Sequence, residues 1–294
     1  MALTRRAWLA GAGAAAAAQA PARPTLCLFS KHLPKLHYSE LGPVIKQLGF
    51  DGCDLTVRPG GHVQPELAGA DMIRAIEALR GEGVEVPMLT TALLSAAEPT
   101  ARPVVALAGR MKVPFFKPGY WRYGPNEDIE TRLAQTQREI AGLALLGRTY
   151  GMTCGVHNHS GNYVGAAVWD IRAMIAELDP QWVGYYFDPC HATIEGGLAG
   201  WNLALRMVLP RLKMVAVKDF YWTKDKSGKW RVQNCPLGQG MVDWPQFFAL
   251  LAKARFAGPI SMHVEYDPPD ELSAIARDFE FLKKLVAAAY GESA

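Results

Sequence analysis

The 294-residue chain has no Cys-x-x-Cys pair, no Gly-x-Gly-x-x-Gly loop and no Ser/Gly-rich linker after Arg23. Its five cysteines, Cys27, Cys53, Cys154, Cys190 and Cys235, are odd in number and widely spaced, which excludes a zinc module or a disulfide framework and makes core packing their expected role. Without a glycine loop opening the first helix, a nicotinamide-binding doubly wound sheet loses its signature. The chain also lacks an apolar run of the roughly 20 residues that a bilayer span requires. Charge of one sign is scarce as well: 31 Lys and Arg stand against 28 Asp and Glu. Nothing in that balance points to nucleic acid or an acidic membrane as partner.

What is present begins with a biased start. Residues 1–22 hold no acidic residue, place Arg5 and Arg6 early, and continue through an Ala/Gly run to Ala-x-Ala sites at Ala18–Ala20 and Ala20–Ala22. This is the pattern of a signal peptide, and Thr4-Arg5-Arg6-Ala7-Trp8-Leu9 is similar to a twin-arginine (Tat) export signal. The expected organisation is therefore a signal over 1–22 and one mature domain over 23–294, exported by the Tat route to the periplasm or beyond. Removing two positive charges and no negative one takes the net charge from +3 to +1.

The mature segment alternates short apolar runs with longer helical-period segments. The runs 26–29, 52–57, 84–90, 113–117, 153–157, 183–188, 213–218 and 259–264 precede helical stretches at 39–48, 71–80, 104–110, 129–150, 166–178, 198–209, 244–254 and 271–289. The runs are continuous rather than alternating, as strands buried on both faces are. Eight such units are the closure number of an α/β (β/α)8 TIM barrel, so a single barrel is predicted in place of two domains; an open doubly wound sheet is the alternative.

In a TIM barrel the chemistry sits at the C-terminal strand ends. Those positions give Lys31 and His32, Arg58 and His62, Lys117, His157-Asn158-His159, Asp188-Pro189-Cys190-His191, Lys218-Asp219, and His263-Val264-Glu265. Imidazoles and carboxylates converging without thiolates suit one divalent ion such as Mn, Mg, Co or Zn. Period-two geometry puts His263 on the face of Glu265, one layer lower. His157, Asp188, His191 and Glu265 are the expected metal ligands. His159, Lys117, Arg58, His62, His263, Asp219 and Trp222 are expected around a substrate. Trp121, Tyr123 and Trp222 either stack on a sugar face or pack their loops. The long segment after strand seven reads as a hairpin over the mouth, followed by a Gly238-Gln239-Gly240 turn suited to closing on substrate or to a dimer contact in a homo-oligomer.

Gly49-Phe50-Asp51-Gly52-Cys53-Asp54-Leu55, His157-Asn158-His159-Ser160-Gly161, Asp188-Pro189-Cys190-His191-Ala192, Val217-Lys218-Asp219 and Glu265, taken in that order, resemble the xylose isomerase-like TIM barrel superfamily. The resemblance runs from the first strand to the last helix. It implies a divalent ion held by Glu, Asp, His and Glu on strands five to eight. Asp188 and Glu265 match two positions, whereas His157 replaces the first Glu and Ala216 the His; His191 offers a replacement ligand. The implied activity is a metal-dependent sugar isomerase or epimerase on a small, non-phosphorylated sugar, with Glu265, His157 and Lys218 catalytic. A keto-sugar dehydratase or 3-keto-glycoside lyase would use the same first step. A non-catalytic sugar-binding barrel with a degraded metal site is the reading that Ala216 favours.

Overall fold

The computed structural model describes residues 23–291, so the expected export signal lies outside the described residues. Eight parallel strands close into a barrel: β1 (Leu26–Phe29), β2 (Gly52–Val57), β3 (Glu85–Thr91), β4 (Phe115–Lys117), β5 (Thr153–His157), β6 (Val183–Phe187), β7 (Leu212–Val217) and β10 (Ile260–Met262), with β10 lying between β7 and β1. All eight predicted strands are found, three with their expected ends and the others within two residues of them. Every residue of β1, β2, β5, β6 and β10 is buried, because helices cover the outside while side chains fill the inside. All five cysteines are free and buried.

The outer layer is α1 (Leu41–Gln47), α2 (Ala68–Gly81), α3 (Ala101–Arg110), α4 (Ile129–Tyr150), α5 (Val168–Ile175), α6 (Pro189–Val208), α7 (Trp244–Lys253) and α8 (Glu271–Tyr290). An aspartate caps four of these helices. Asp128, Asp188, Asp243 and Asp270 accept the N–H of the residue three places on, which satisfies one of the donors a helix start leaves unpaired. Among the described residues no helix is long and apolar enough to cross a membrane.

The excursion after β7 is an antiparallel hairpin of β8 (Asp219–Lys224) and β9 (Trp230–Cys235), as the sequence predicts. Asp219 fastens it. Its Oδ1 accepts the N–H of Phe220 and Val242, and its Oδ2 those of Gly238 and Gly240 and the Trp244 indole. The backbone at Gly240 comes so near that a Cβ there would lie 2.1 Å from Asp219 Oδ1. The Gly238–Gly240 turn is thus an anchored corner, contrary to the expected closing loop, and Asp219 is a structural hub rather than a substrate contact. Asp219→Ala strips five donors of their acceptor and is expected to cost at least about 3 kcal/mol, read as a lower urea midpoint.

Candidate functional site

Asp188 is placed by a local code. It ends β6 in extended conformation, caps α6 with Oδ1 on the His191 N–H at 3.0 Å, and hands the chain to Pro189, whose missing N–H costs nothing at a helix start. Asn158, at the end of β5, clamps the same corner: its amide donates to the Asp188 carbonyl (3.0 Å) and accepts the Asp188 N–H (2.9 Å). With Oδ1 committed to the cap, Oδ2 faces the barrel mouth.

Three nitrogens surround that oxygen. Lys218 Nζ ion-pairs with Oδ2 at 2.8 Å, while the Nε2 atoms of His157 and His191 stand 3.4 and 3.7 Å away. Both Nε2 atoms are buried and lack a hydrogen-bond partner. Their tautomers follow from the other ring nitrogen. Tyr120 hydroxyl lies 2.7 Å from His157 Nδ1 and Ser160 hydroxyl 2.8 Å from His191 Nδ1, and neither hydroxyl has another acceptor among the described residues. Where the hydroxyl donates to Nδ1, the hydrogen of the neutral imidazole sits on Nε2, facing Asp188; where it accepts, Nε2 is a free lone pair. In the first state the site presents an ammonium and two N–H groups to one small volume.

The electrostatics agree. Burial alone would raise the Asp188 carboxyl, but Lys218, His191 and His157 hold it well below the usual range. Burial opposes the Lys218 charge, yet Asp188 keeps its pKa above the ordinary lysine value. Burial pushes His157 down to about 3, and burial with Lys218 takes His159 to about 4 and His191 well below its usual value. His32 is also pushed down to about 3, by burial and then His263. Each of these imidazoles is neutral when folded and takes a proton near pH 6.5 when unfolded, so its contribution is present above that pH and lost as pH falls toward 3–4. Every such group removes about 1.4 kcal/mol of stability per pH unit in that window. Asp54 works the other way: burial raises it to about 6, so its contribution grows as pH falls from 6 toward 3.8. Several protons outweigh one, and the urea midpoint is expected to drop between pH 7 and pH 5.

Lys218 and the three histidines His157, His159 and His191, above the buried Asp188, line a cavity of about 310 Å³ at the barrel mouth, near the lower end of the range of about 300–1,000 Å³ usual for small-molecule sites. Of the residues expected there, His157, His159, His191, Lys117, Arg58, Lys218, His263 and Glu265 line it. Trp222 does not. It sits opposite Val232 on the hairpin, 39 % exposed, and Val232 and Asn234 reach the cavity instead. His62 faces an adjoining cavity of about 530 Å³, with its ring engaged by the Leu33 carbonyl and Thr56. Trp121 and Tyr123 belong to loop packing: the first is buried in the core and the second donates to Asp170.

Glu265 stands apart from Asp188. Its Oε2 accepts from Lys31 at 2.8 Å, and its Oε1 lies 3.6 Å from His263 Nδ1. Burial would raise this carboxyl, but His263, Lys218 and Lys31 hold it below its usual range. Tyr120 and Tyr186 escaped the sequence reading. Tyr186 stacks on His157 with ring centroids 4.3 Å apart, and its hydroxyl lies 3.4 Å from Asp54 and 3.3 Å from His263. Counting back two residues from Asp188 on the same strand face would have found it.

The expected ion is not matched by this donor set. Lys218 Nζ stands in an ion pair on the free oxygen of Asp188, which like the two Nε2 atoms makes no hydrogen bond, and Glu265 is turned to Lys31. Ala216 packs among Met88, Tyr186 and Met214 where the strand-seven ligand was expected. Among the described residues, no group of three or more His, Cys, Asp or Glu is arranged to hold a metal.

Comparison with known proteins matches the geometry at the level of fold and family. The profile described as "Xylose isomerase-like TIM barrel" matches residues 43–285. An inosose dehydratase from Bacillus anthracis is 27% identical over 192 residues, 61% of this chain and 59% of that protein, so the chain spans about three fifths of the length of such curated relatives. Two solved structures share the fold. The apo 3-keto-D-glucoside 4-epimerase from E. coli has a TM-score of 0.70 at 14% identity, covering 89% of this chain and 100% of its own. A xylose isomerase-like TIM barrel protein from Mycobacterium smegmatis in complex with magnesium has a TM-score of 0.69 at 16% identity, covering 91% and 97%. With most of its length matched by the family profile, and with eight strands closed around a polar mouth, this chain belongs to the xylose isomerase-like TIM barrel family.

Proposed function

We propose that the protein is an enzyme acting on a small keto-sugar, removing the proton beside the carbonyl as an epimerase or isomerase. The observation that carries this reading is the order of groups around one cavity. Around the ring, β10, β7, β6 and β5 bring Glu265, Lys218, Asp188 and His157 in succession, so a carboxylate and an imidazole flank a fixed ammonium. A carbon acid beside a carbonyl is weak, and its removal needs a base, a cationic partner for the developing oxyanion, and an acid to finish.

Glu265 is ionised and serves as the base. Its pair with Lys31 is partly exposed, 43% and 23%, and such pairs are worth about 0–1 kcal/mol, so a bound sugar displaces it readily. The C–H electron pair becomes the new C=C bond, and the carbonyl pair moves onto oxygen, where Lys218 Nζ and the His157 and His191 N–H groups receive it. His157 then gives its Nε2 proton while Nδ1 takes the one on Tyr120, so no imidazolate is left; burial disfavours the Tyr120 phenolate, which regains a proton from solvent as Glu265 gives up the one it took. Delivery to the opposite face of the carbon inverts the centre. Delivery to a β-oxygen breaks the C–O bond and releases water, which is the dehydratase reading that the inosose dehydratase relatives favour. Inosose and a 3-keto-D-glucoside, the compounds in the relatives' names, are both unphosphorylated, in keeping with a non-phosphorylated sugar here.

Offering each of those two compounds to the protein, with product separation by chromatography, tests the reading. An epimer supports the first form and an unsaturated, dehydrated product the second. Failure to bind or consume any keto-sugar overturns both.

A further inference from the structure

We infer that Lys218 is the resident cation of this site, doing for the oxyanion what a divalent ion does in metal-bearing barrels of the family. The inference rests on the proposed proton abstraction for its chemistry, and on the geometry alone for its location. On β7 the mouth-facing positions are Ala216 and, two residues on, Lys218. The small side chain packs into the apolar floor, and the next layer carries an ammonium to 2.8 Å from Asp188 Oδ2. That carboxylate oxygen is the one the helix cap leaves free.

Charge counting favours the same conclusion. Lys31, Arg58 and Lys218 line the cavity against Glu265 alone, with Asp188 buried beneath, and burial and then Arg58 push Lys117 well below the ordinary lysine value. A dipositive ion sharing Oδ2 with Nζ would meet a positive charge a few ångströms away in a site screened from water, and the two would repel. Lys218 also supplies three N–H donors, one for Asp188 and others for a substrate oxygen. His157 and His191 stand 3.4 and 3.7 Å from the same oxygen, so the ammonium at 2.8 Å is its nearest partner.

Removing the ammonium should uncover a latent metal site. Without Lys218, Asp188 Oδ2 and the Nε2 atoms 3.4 and 3.7 Å from it are free to close on an ion as two histidines and a carboxylate, an arrangement they do not hold with the ammonium in place. The test is a Co²⁺ titration followed by visible d–d absorption, with elemental analysis of protein equilibrated with Mn²⁺, Co²⁺ or Zn²⁺. The wild type is expected to retain well under one equivalent. Lys218→Ala is expected to bind Co²⁺ at least about tenfold more tightly, with the absorption of a coordinated ion. Lys218→Gln, closer in volume, serves if the alanine variant does not fold. One equivalent held by the wild type, or a folded Lys218 variant that gains no Co²⁺ binding, overturns the inference. Neither readout involves turnover, so a protein that consumes no keto-sugar would refute the proposed function and leave this result intact.

Discussion

Asp188→Ala is expected to lower the unfolding free energy by about 3–5 kcal/mol and to abolish turnover, because it leaves the Lys218 ammonium buried without its counter-charge. The loss of the α6 cap adds about 1 kcal/mol. Lys218 is 6% exposed and Asp188 fully buried, so water cannot take the carboxylate's place without opening the corner that Asn158 clamps. The lysine is then expected to give up its proton far more easily. Asp188→Asn separates the two losses: it keeps the cap acceptor but not the charge, so part of the stability should return and the activity should not. Urea titration and steady-state rates on both variants check this, and an alanine variant as stable as the wild type would refute the pairing.

Glu265→Gln is expected to reduce kcat by about 10²- to 10⁴-fold, the usual worth of a positioned acid or base. Its stability should change little, because its ion pair with Lys31 is partly exposed. KM is expected to stay within a few-fold, since the amide keeps the size and an acceptor oxygen. A variant with unchanged kcat would move the base elsewhere, with the neutral imidazole of His159 the next group lining the cavity.

The barrel could be read from the chain because its strands are continuous apolar runs, buried on both faces, and eight of them close a ring. Asp188 was legible for a local reason: strand end, helix cap, proline and histidine all fall within four residues. Glu265 could be placed at the mouth, but not its partner. Lys31 lies 234 residues away and reaches it only because β1 closes the ring against β10. Asp54 was likewise opaque as a buried acid, since the hydroxyls that satisfy it come from Thr90 and Ser261 on two other strands. Tyr120 sits in the loop after β4, where no periodicity fixes direction. Trp222 shares the hairpin face of Val232 and Asn234, yet only those two line the cavity, a distinction that alternation along a strand does not make. The ligand list that the resemblance implies is read position by position, and such a list does not show that Lys218 stands 2.8 Å from Asp188.

The central claim, that this cavity removes and returns a proton beside a carbonyl, is tested most directly by running the reaction in D₂O and locating deuterium in recovered substrate and product by NMR. The account predicts deuterium at the carbon adjacent to the carbonyl, with the incorporation lost in Glu265→Gln. Product formed with no solvent deuterium at that carbon would contradict it.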